Sequence, residues 1–258
     1  MGDLPPDLLD ALTAAARVSR LLVTSDFDGT LAPIVNNPAD ARPLTEAASA
    51  LIELADLPAT AAALISGRAL GVLRELSGAP PTVHLVGSHG AEFDSGFIHP
   101  IDEELLARIT AELNEIATDR PGVTVETKPA SVALHVRNAS SADGEAALRD
   151  ARTASESWDA QATEGKAVLE FAVLTTDKGE AIDILRERHD ASAVVYFGDD
   201  VTDEKAFRRL RASDVGVKVG PGDTLARYRV DEPKDVAAAL NYLLEVRRET
   251  VFQQANFE

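Results

Sequence analysis

Two aspartates two positions apart, Asp26 and Asp28, close the apolar run Leu21 to Ser25 and are followed by Gly29, Thr30 and Leu31. Residues i and i+2 of an extended chain share a face, so the two carboxylates can point the same way while Phe27 points to the other. Carboxylates crowded together repel at neutral pH, and a divalent cation relieves that repulsion. An all-oxygen donor set in a chain without cysteine favours magnesium over softer metals. Gly29 lets the backbone turn sharply beyond the pair. An Asp-x-Asp after a strand is also an ordinary turn or helix cap, so its meaning depends on what else the fold brings to it.

Three other stretches carry matching chemistry. Ser66-Gly67-Arg68 follows the apolar run Ala61 to Ile65 and offers a hydroxyl and a flexible backbone N–H suited to a phosphate oxygen. Lys178 follows Thr175, Thr176 and Asp177 at a helix start, where the unpaired N–H groups of the first turn also favour an anion. Gly198-Asp199-Asp200-Val201-Thr202-Asp203 closes the run Ala193 to Phe197, and Asp199, Asp200 and Asp203 can complete a metal shell begun by Asp26 and Asp28. Singly, Ser66 reads as a helix cap and Lys178 as a solvated surface residue. Four such stretches at successive strand ends point to phosphate chemistry on a divalent ion.

The elements that must position these residues alternate. Strands are expected at Leu21–Ser25, Ala61–Ile65, Val83–Val86, Ala193–Phe197 and Val215–Val219. Helices are expected at Pro43–Leu57, Arg68–Leu76 with Gly78 as its stop, Gly179–His189, Asp203–Arg211 and Lys234–Arg248, with a further helix within Met1–Arg20. That alternation implies an α/β fold, a doubly wound parallel sheet whose strand C-termini form the site. The middle reads helix, strand, strand, helix, strand, strand: Ile101–Thr118, Val123–Thr127, Val132–Arg137, Asp143–Glu156, Gln161–Thr163 and Ala167–Phe171. The expected organisation is a core of residues 1–100 and 174–258 with an inserted α+β cap of residues 101–173. In that insert Glu126 and Lys128 share one strand face, His135 and Arg137 share a face of the next strand opposite Val132, Leu134 and Val136, and Glu170 lies near the end of a later strand. Such a polar face can hydrogen-bond sugar hydroxyls, or be the solvated face of an ordinary sheet.

With 43 acidic against 25 basic residues, the net charge of −18 repels nucleic-acid phosphates and anionic membrane surfaces, and both are excluded as partners. An anionic substrate must therefore find its cations within the site itself. The acidic N-terminus has no signal-peptide pattern, no long apolar run follows, and no cysteine suggests an oxidising compartment, so a cytoplasmic location is expected. A monomer is expected, with an oligomer left open.

Asp26-Phe27-Asp28-Gly29-Thr30-Leu31, Ser66-Gly67-Arg68, Lys178-Gly179-Glu180 and Gly198-Asp199-Asp200 with Asp203 resemble the four signature motifs of the haloacid dehalogenase superfamily. The resemblance implies Asp26 as nucleophile, Asp28 as general acid and base, and Thr30, Ser66 and Gly67 as phosphate ligands. It further implies that Lys178 steadies nucleophile and phosphate, and that Asp199 binds Mg2+ with Asp26 and the Asp28 carbonyl, supported by Asp200 and Asp203. A narrower resemblance, to trehalose-6-phosphate phosphatases, rests on Gly87-Ser88-His89-Gly90-Ala91-Glu92, Glu126-Thr127-Lys128, Leu134-His135-Val136-Arg137 and Gly165-Lys166-Ala167-Val168-Leu169-Glu170. It implies trehalose 6-phosphate as substrate, held by Glu126, Lys128 and Glu170 in a cap that closes over the core, with Arg68, His89, His135 and Arg137 as further contacts. Val136, where relatives carry an aromatic residue, and the apolar Phe171-Ala172-Val173-Leu174 depart from that pattern. Sucrose phosphate or mannosyl-phosphoglycerate are the rival substrates, and a non-catalytic sugar-phosphate sensor is the rival of another class.

Overall fold

Leu21–Ser25 (β1) is buried along its whole length, as a strand covered on both faces must be. The structure, a computed structural model, describes residues 4–174 and 176–255; the expected helix of Met1–Arg20 is described from residue 4, and Met1 to Asp3 and Thr175 lie outside the described residues. In chain order the elements are α1 (Pro6–Ala16), β1, α2 (Thr45–Ala55), β2 (Thr60–Ile65), α3 (Leu70–Ser77), β3 (Val83–Val86), β4 (Glu92–Phe93) and β5 (Gly96–Phe97). Then come α4 (Glu103–Ala117), β6 (Thr124–Lys128), β7 (Ser131–His135), α5 (Ser141–Ser155), β8 (Gln161–Gly165) and β9 (Val168–Ala172). The chain ends with α6 (Lys178–His189), β10 (Ala193–Gly198), α7 (Asp203–Arg209), β11 (Val215–Val219), β12 (Tyr228–Val230) and α8 (Pro233–Ala255). The chain divides into two compact units, Met1–Gly96 with Thr176–Glu258, and Phe97–Thr175.

In the first unit, parallel strands form a sheet in the order β12-β11-β10-β1-β2-β3. β1 lies between β10 and β2, with Ser25 level with Phe197 on one side and Leu64 on the other. The residues that follow β1, β2 and β10 therefore emerge side by side at one edge, at the point where the strand order reverses. Val23, Phe27, Leu64, Val195 and Phe197 pack with Leu51 and Leu54 of α2 and Leu240 and Leu243 of α8 in one core. Arg247 is fully buried in α8, but its guanidinium donates to the carbonyls of Ala16, Val18 and Ala59 and to Thr60 Oγ1, so the buried charge is solvated by backbone oxygens.

α2 begins at Thr45, after an extended Leu44, rather than at Pro43, and α3 at Leu70, after the extended Ala69. Gly78 ends α3 in the left-handed conformation, φ 59°, which costs glycine nothing. α6 opens at Lys178 because the Asp177 carboxylate accepts the Glu180 N–H at 2.9 Å.

The second unit is an antiparallel sheet, β6-β7-β9-β8, whose apolar face packs on α4 and α5. Val132, Leu134, Leu169 and Phe171 meet Ile109 and Leu113 there, and Trp158 stands edge-on to Phe171 with ring centroids 4.8 Å apart. Among the described residues, no helix is long and apolar enough to cross a membrane.

Candidate active site

Asp26 leaves the end of β1 with its N–H donating to the Phe197 carbonyl at 2.9 Å, which fixes the residue against the β10 end. Its side chain is buried, and Lys178 Nζ donates to Asp26 Oδ1 at 2.9 Å. The same ammonium donates to Asp203 Oδ1 at 2.7 Å. Lys178 can be placed there because it begins α6 and is itself only 2% exposed.

Asp203 is the most heavily committed group. Tyr196 OH joins Lys178 on Oδ1 at 2.5 Å, and the N–H groups of Asp199 and Asp200 both donate to Oδ2 at 2.9 Å. Four donors on a fully buried carboxylate fold the chain from Gly198 to Asp203 into a tight loop. A Cβ at Gly198 would be driven against that carboxylate, and one at Gly29, where φ is 78°, against the carboxylate of Asp199. The two glycines let the acids approach.

One carboxylate oxygen each from Asp26, Asp199 and Asp203 lie within 4.8 Å of one another. The electrostatic consequence is visible in their affinity for protons. Burial and then the neighbouring Asp203 push Asp199 up to about 6. Asp26 is also raised, by burial first, with Lys178 opposing and Asp203 and Asp199 adding to the rise. Burial works to lower Lys178, but Asp26 and Asp203 outweigh it and hold the ammonium above its ordinary value. Burial and the Asp203 charge raise Tyr196, so it stays a neutral donor. Carboxylates that resist ionisation in a nest of hard oxygen donors fit a divalent cation such as Mg2+, which would relieve the repulsion.

The side chains of Asp28 and Asp200 lie outside that three-oxygen cluster. Arg68 grips Asp28 with both arms, Nε to Oδ2 at 2.6 Å and Nη2 to Oδ1 at 2.7 Å, and also donates to the Pro38 carbonyl at 2.8 Å. Its guanidinium lies 5.8 Å from the Phe27 ring centroid. Asp200 is exposed and its Oδ1 accepts the Val201 N–H at 2.7 Å. Thr30 is buried, its hydroxyl 3.4 Å from Asp199 Oδ1, and Ser66, 1% exposed, accepts the Arg68 N–H at 3.2 Å.

Gly67 is backed by the His89 ring, which a Cβ there would strike. His89 and Ser88 both hold left-handed backbone, φ 56° and 50°. Glu92 clamps this loop onto the Ser66-Gly67-Arg68 turn by accepting the Leu70 N–H at 2.8 Å and the Ser88 hydroxyl at 3.1 Å.

In the second unit Glu126 lies opposite Ala133, and Ala133 opposite Glu170, so Glu126, Lys128, His135 and Glu170 share the face away from the helices. Lys128 Nζ donates to both Glu170 oxygens at 3.0 Å, and the Ser131 hydroxyl to Oε1 at 2.6 Å. His135 Nε2 lies 2.9 Å from the accepting Glu126 Oε2. Arg137 is exposed beyond the end of β7.

Three polar side chains escaped the sequence reading: Tyr196, Ser131 and Lys218. Lys218 is 4% exposed in β11, level with Gly198, and donates to the Asp199 carbonyl. A lysine inside the apolar run Val215 to Val219 was the available signal, since a buried ammonium needs an acceptor.

A family model described as trehalose-phosphatase matches residues 24–234. A trehalose-phosphate phosphatase of Mycobacterium avium is 35% identical over 257 residues, covering 90% of this chain and 65% of the relative. A bifunctional trehalose-6-phosphate synthase/phosphatase of Thermoproteus tenax is 33% identical over 239 residues, 88% of this chain and 32% of the relative. The chain thus spans about a third of the one relative's length and just under two thirds of the other's. Among solved structures, a trehalose-6-phosphate phosphatase of Aspergillus fumigatus superposes with a TM-score of 0.69 at 27% identity, covering 95% of this chain and 99% of that one.

Proposed function

This chain belongs to the trehalose-phosphatase family, with a haloacid-dehalogenase-like fold, and from that premise we propose that it hydrolyses trehalose 6-phosphate to trehalose and phosphate, with Asp26 as nucleophile. The observation that carries the reading is the buried ammonium of Lys178 bridging Asp26 and Asp203 beside Asp199. An isolated buried lysine would be costly, whereas one aimed at a carboxylate in an anion-binding edge steadies that carboxylate and an incoming phosphate together.

In the first step an Asp26 oxygen attacks phosphorus as the bond from phosphorus to the sugar oxygen breaks, and Asp28 gives that oxygen a proton. In the second step Asp28 takes a proton from water, which hydrolyses the aspartyl phosphate and frees Asp26. Arg68 holds the Asp28 carboxylate in one orientation. Ser66, Thr30 and the backbone at Gly67 receive the phosphate oxygens, and Asp203 keeps Lys178 and the loop of Asp199 and Asp200 in place. Asp26, Asp199 and the Asp28 carbonyl would hold Mg2+, with Asp200 and Asp203 in support; the ion supplies positive charge against the phosphate oxygens.

Residues 101–173 serve as the specificity cap. Glu126, Lys128, His135 and Glu170 pair with one another on one sheet face, and the hydroxyls of a disaccharide can exchange with those pairings. Arg68, His89 and Arg137 add contacts to the sugar phosphate.

Phosphate release over a panel of trehalose 6-phosphate, sucrose phosphate and mannosyl-phosphoglycerate, with Mg2+ and with chelator, tests the reading. Trehalose 6-phosphate should be cleaved fastest and chelation should stop release; equal or faster cleavage of a rival ester would overturn the substrate. Binding without release would favour a sensor. Asp26→Asn should fold and not turn over, and a folded variant at wild-type rate would remove Asp26 from the nucleophile role.

A further inference from the structure

On the first unit, the end of α7, the start of β11 and the segment 225–227 line a half-open recess of ≈ 360 Å³. That lies within the roughly 300–1,000 Å³ usual for small-molecule sites. Its lining residues include Arg208, Arg211 and Arg227 beside Phe207, Leu210 and Leu225. In a chain of net charge −18, three arginines lining one recess are out of character. Among the described residues none of the three is in an ion pair; Arg227 donates only to the Ala212 carbonyl, at 3.2 Å.

The carboxylate in the wall, Asp214, does not neutralise them. Arg186 takes both of its oxygens, and the N–H groups of Val194 and Arg211 add bonds at 2.9 and 2.6 Å. The floor is cleared by Gly216, where a Cβ would press to 2.7 Å from Leu210 and 3.1 Å from Phe207. All three arginines are exposed and solvated by water, which a bound anion can replace while meeting more than one of them at once. Guanidinium forks pair with phosphate-type and carboxylate oxygens two bonds at a time.

We propose that this recess is a second ligand site, for a small organic anion whose dianionic head engages Arg208, Arg211 and Arg227 while its apolar body lies on Phe207, Leu210 and Leu225. The site is coupled by packing to the acid cluster. Phe207 stands edge-on to Tyr196 with centroids 5.5 Å apart, and Tyr196 donates to Asp203. Glu204, the residue after Asp203, accepts the N–H of Leu225 at 2.7 Å, tying the rim of the recess to α7.

Phenylphosphonate is the probe, since its carbon–phosphorus bond is not a phosphate ester; binding is read on the whole chain by titration calorimetry and by saturation transfer to the phenyl protons. Binding should survive Ser66→Ala and weaken about tenfold in Arg211→Ala, and further in Arg208→Ala/Arg211→Ala. Methylphosphonate, the head without the body, should bind at least about tenfold more weakly than phenylphosphonate. No binding, an affinity unchanged in the double variant, or equal affinity for methylphosphonate would overturn the proposal. So would loss of binding in Ser66→Ala, which would move the probe to the strand-end site. No turnover is involved, so failure here leaves the phosphatase reading untouched.

Discussion

Replacing Asp203 by asparagine removes one charge and changes no shape, yet the structure gives the substitution a large cost. The Asp203 oxygens accept four hydrogen bonds, two on each side, from Lys178 and Tyr196 and from the N–H groups of Asp199 and Asp200. An amide keeps one acceptor and turns an NH2 toward the other pair, so in either orientation donors face donors. Two bonds to a charged acceptor are lost, each ~1.5–3 kcal/mol net. Breaking a buried ion pair by removing one partner costs ~3–5 kcal/mol, and because this counts the same bonds, the expected total is ~3–5 kcal/mol rather than a sum. Tyr196→Phe, which removes one of the four donors, should cost ~1.5–3 kcal/mol.

Urea unfolding followed by far-UV circular dichroism, in chelator so that no metal contributes, measures both. With a slope of ~2 kcal/mol per M, the Asp203→Asn midpoint should fall by ~2 M and the Tyr196→Phe midpoint by about half as much. A fall of under ~0.5 M in Asp203→Asn would refute the reasoning, since a saturated buried carboxylate cannot be neutralised so cheaply. A Tyr196→Phe effect as large as that of Asp203→Asn would refute it differently, by placing the cost in the aromatic packing.

Trp158, the only tryptophan in the chain, reports on the second unit alone, and Phe171→Ala should lower the transition seen in its fluorescence by ~3–5 kcal/mol; an unmoved fluorescence transition would contradict the packing. Mg2+ at about a hundred times its Kd should raise stability by ~2.7 kcal/mol, measured as melting temperature, and Asp199→Ala should abolish the gain. His84 and His189 meet with ring centroids 4.5 Å apart and planes tilted by 47°, and both are held below the ordinary 6.5, by burial first and then by Arg188 for His84 and by His84 for His189. The unfolded chain therefore takes up protons at a higher pH than the folded one, and stability is complete above about 6.5 and lost as pH falls below it. His84→Phe should flatten the drop in melting temperature between about pH 7 and about pH 5, and an unchanged acid limb would count against the histidine pair as its source.

The parts of this site legible in the sequence are those in which a residue's type and its place at a strand end say the same thing. Asp26, Ser66 and Asp199 follow apolar runs, parallel strands align their ends, and the register of Ser25 with Phe197 and Leu64 brings those ends together. The helix–strand–strand pattern of the middle likewise carried its own two-residue period, and Val132 and Leu134 face the helices as that period requires, although Ser131 and Ala133 on the other face are buried too. Tyr196 and Lys218 lie inside strands buried on both faces, where the polar residue shows in the sequence but the partner it needs does not. The same limit applies to pairings. Asp28 and Arg68 could each be given a role from its motif, but only the fold joins them across 40 positions in a two-armed ion pair. Asp203 was legible as an anion near the site; that four donors from three elements saturate it is a property of the loop they close. A sequence states which charges are present, and the fold decides which are already spent on one another: Asp203 and Asp214 have both oxygens taken by buried donors, whereas Asp26 and Asp199 bring oxygens to a shared cluster that can hold a cation.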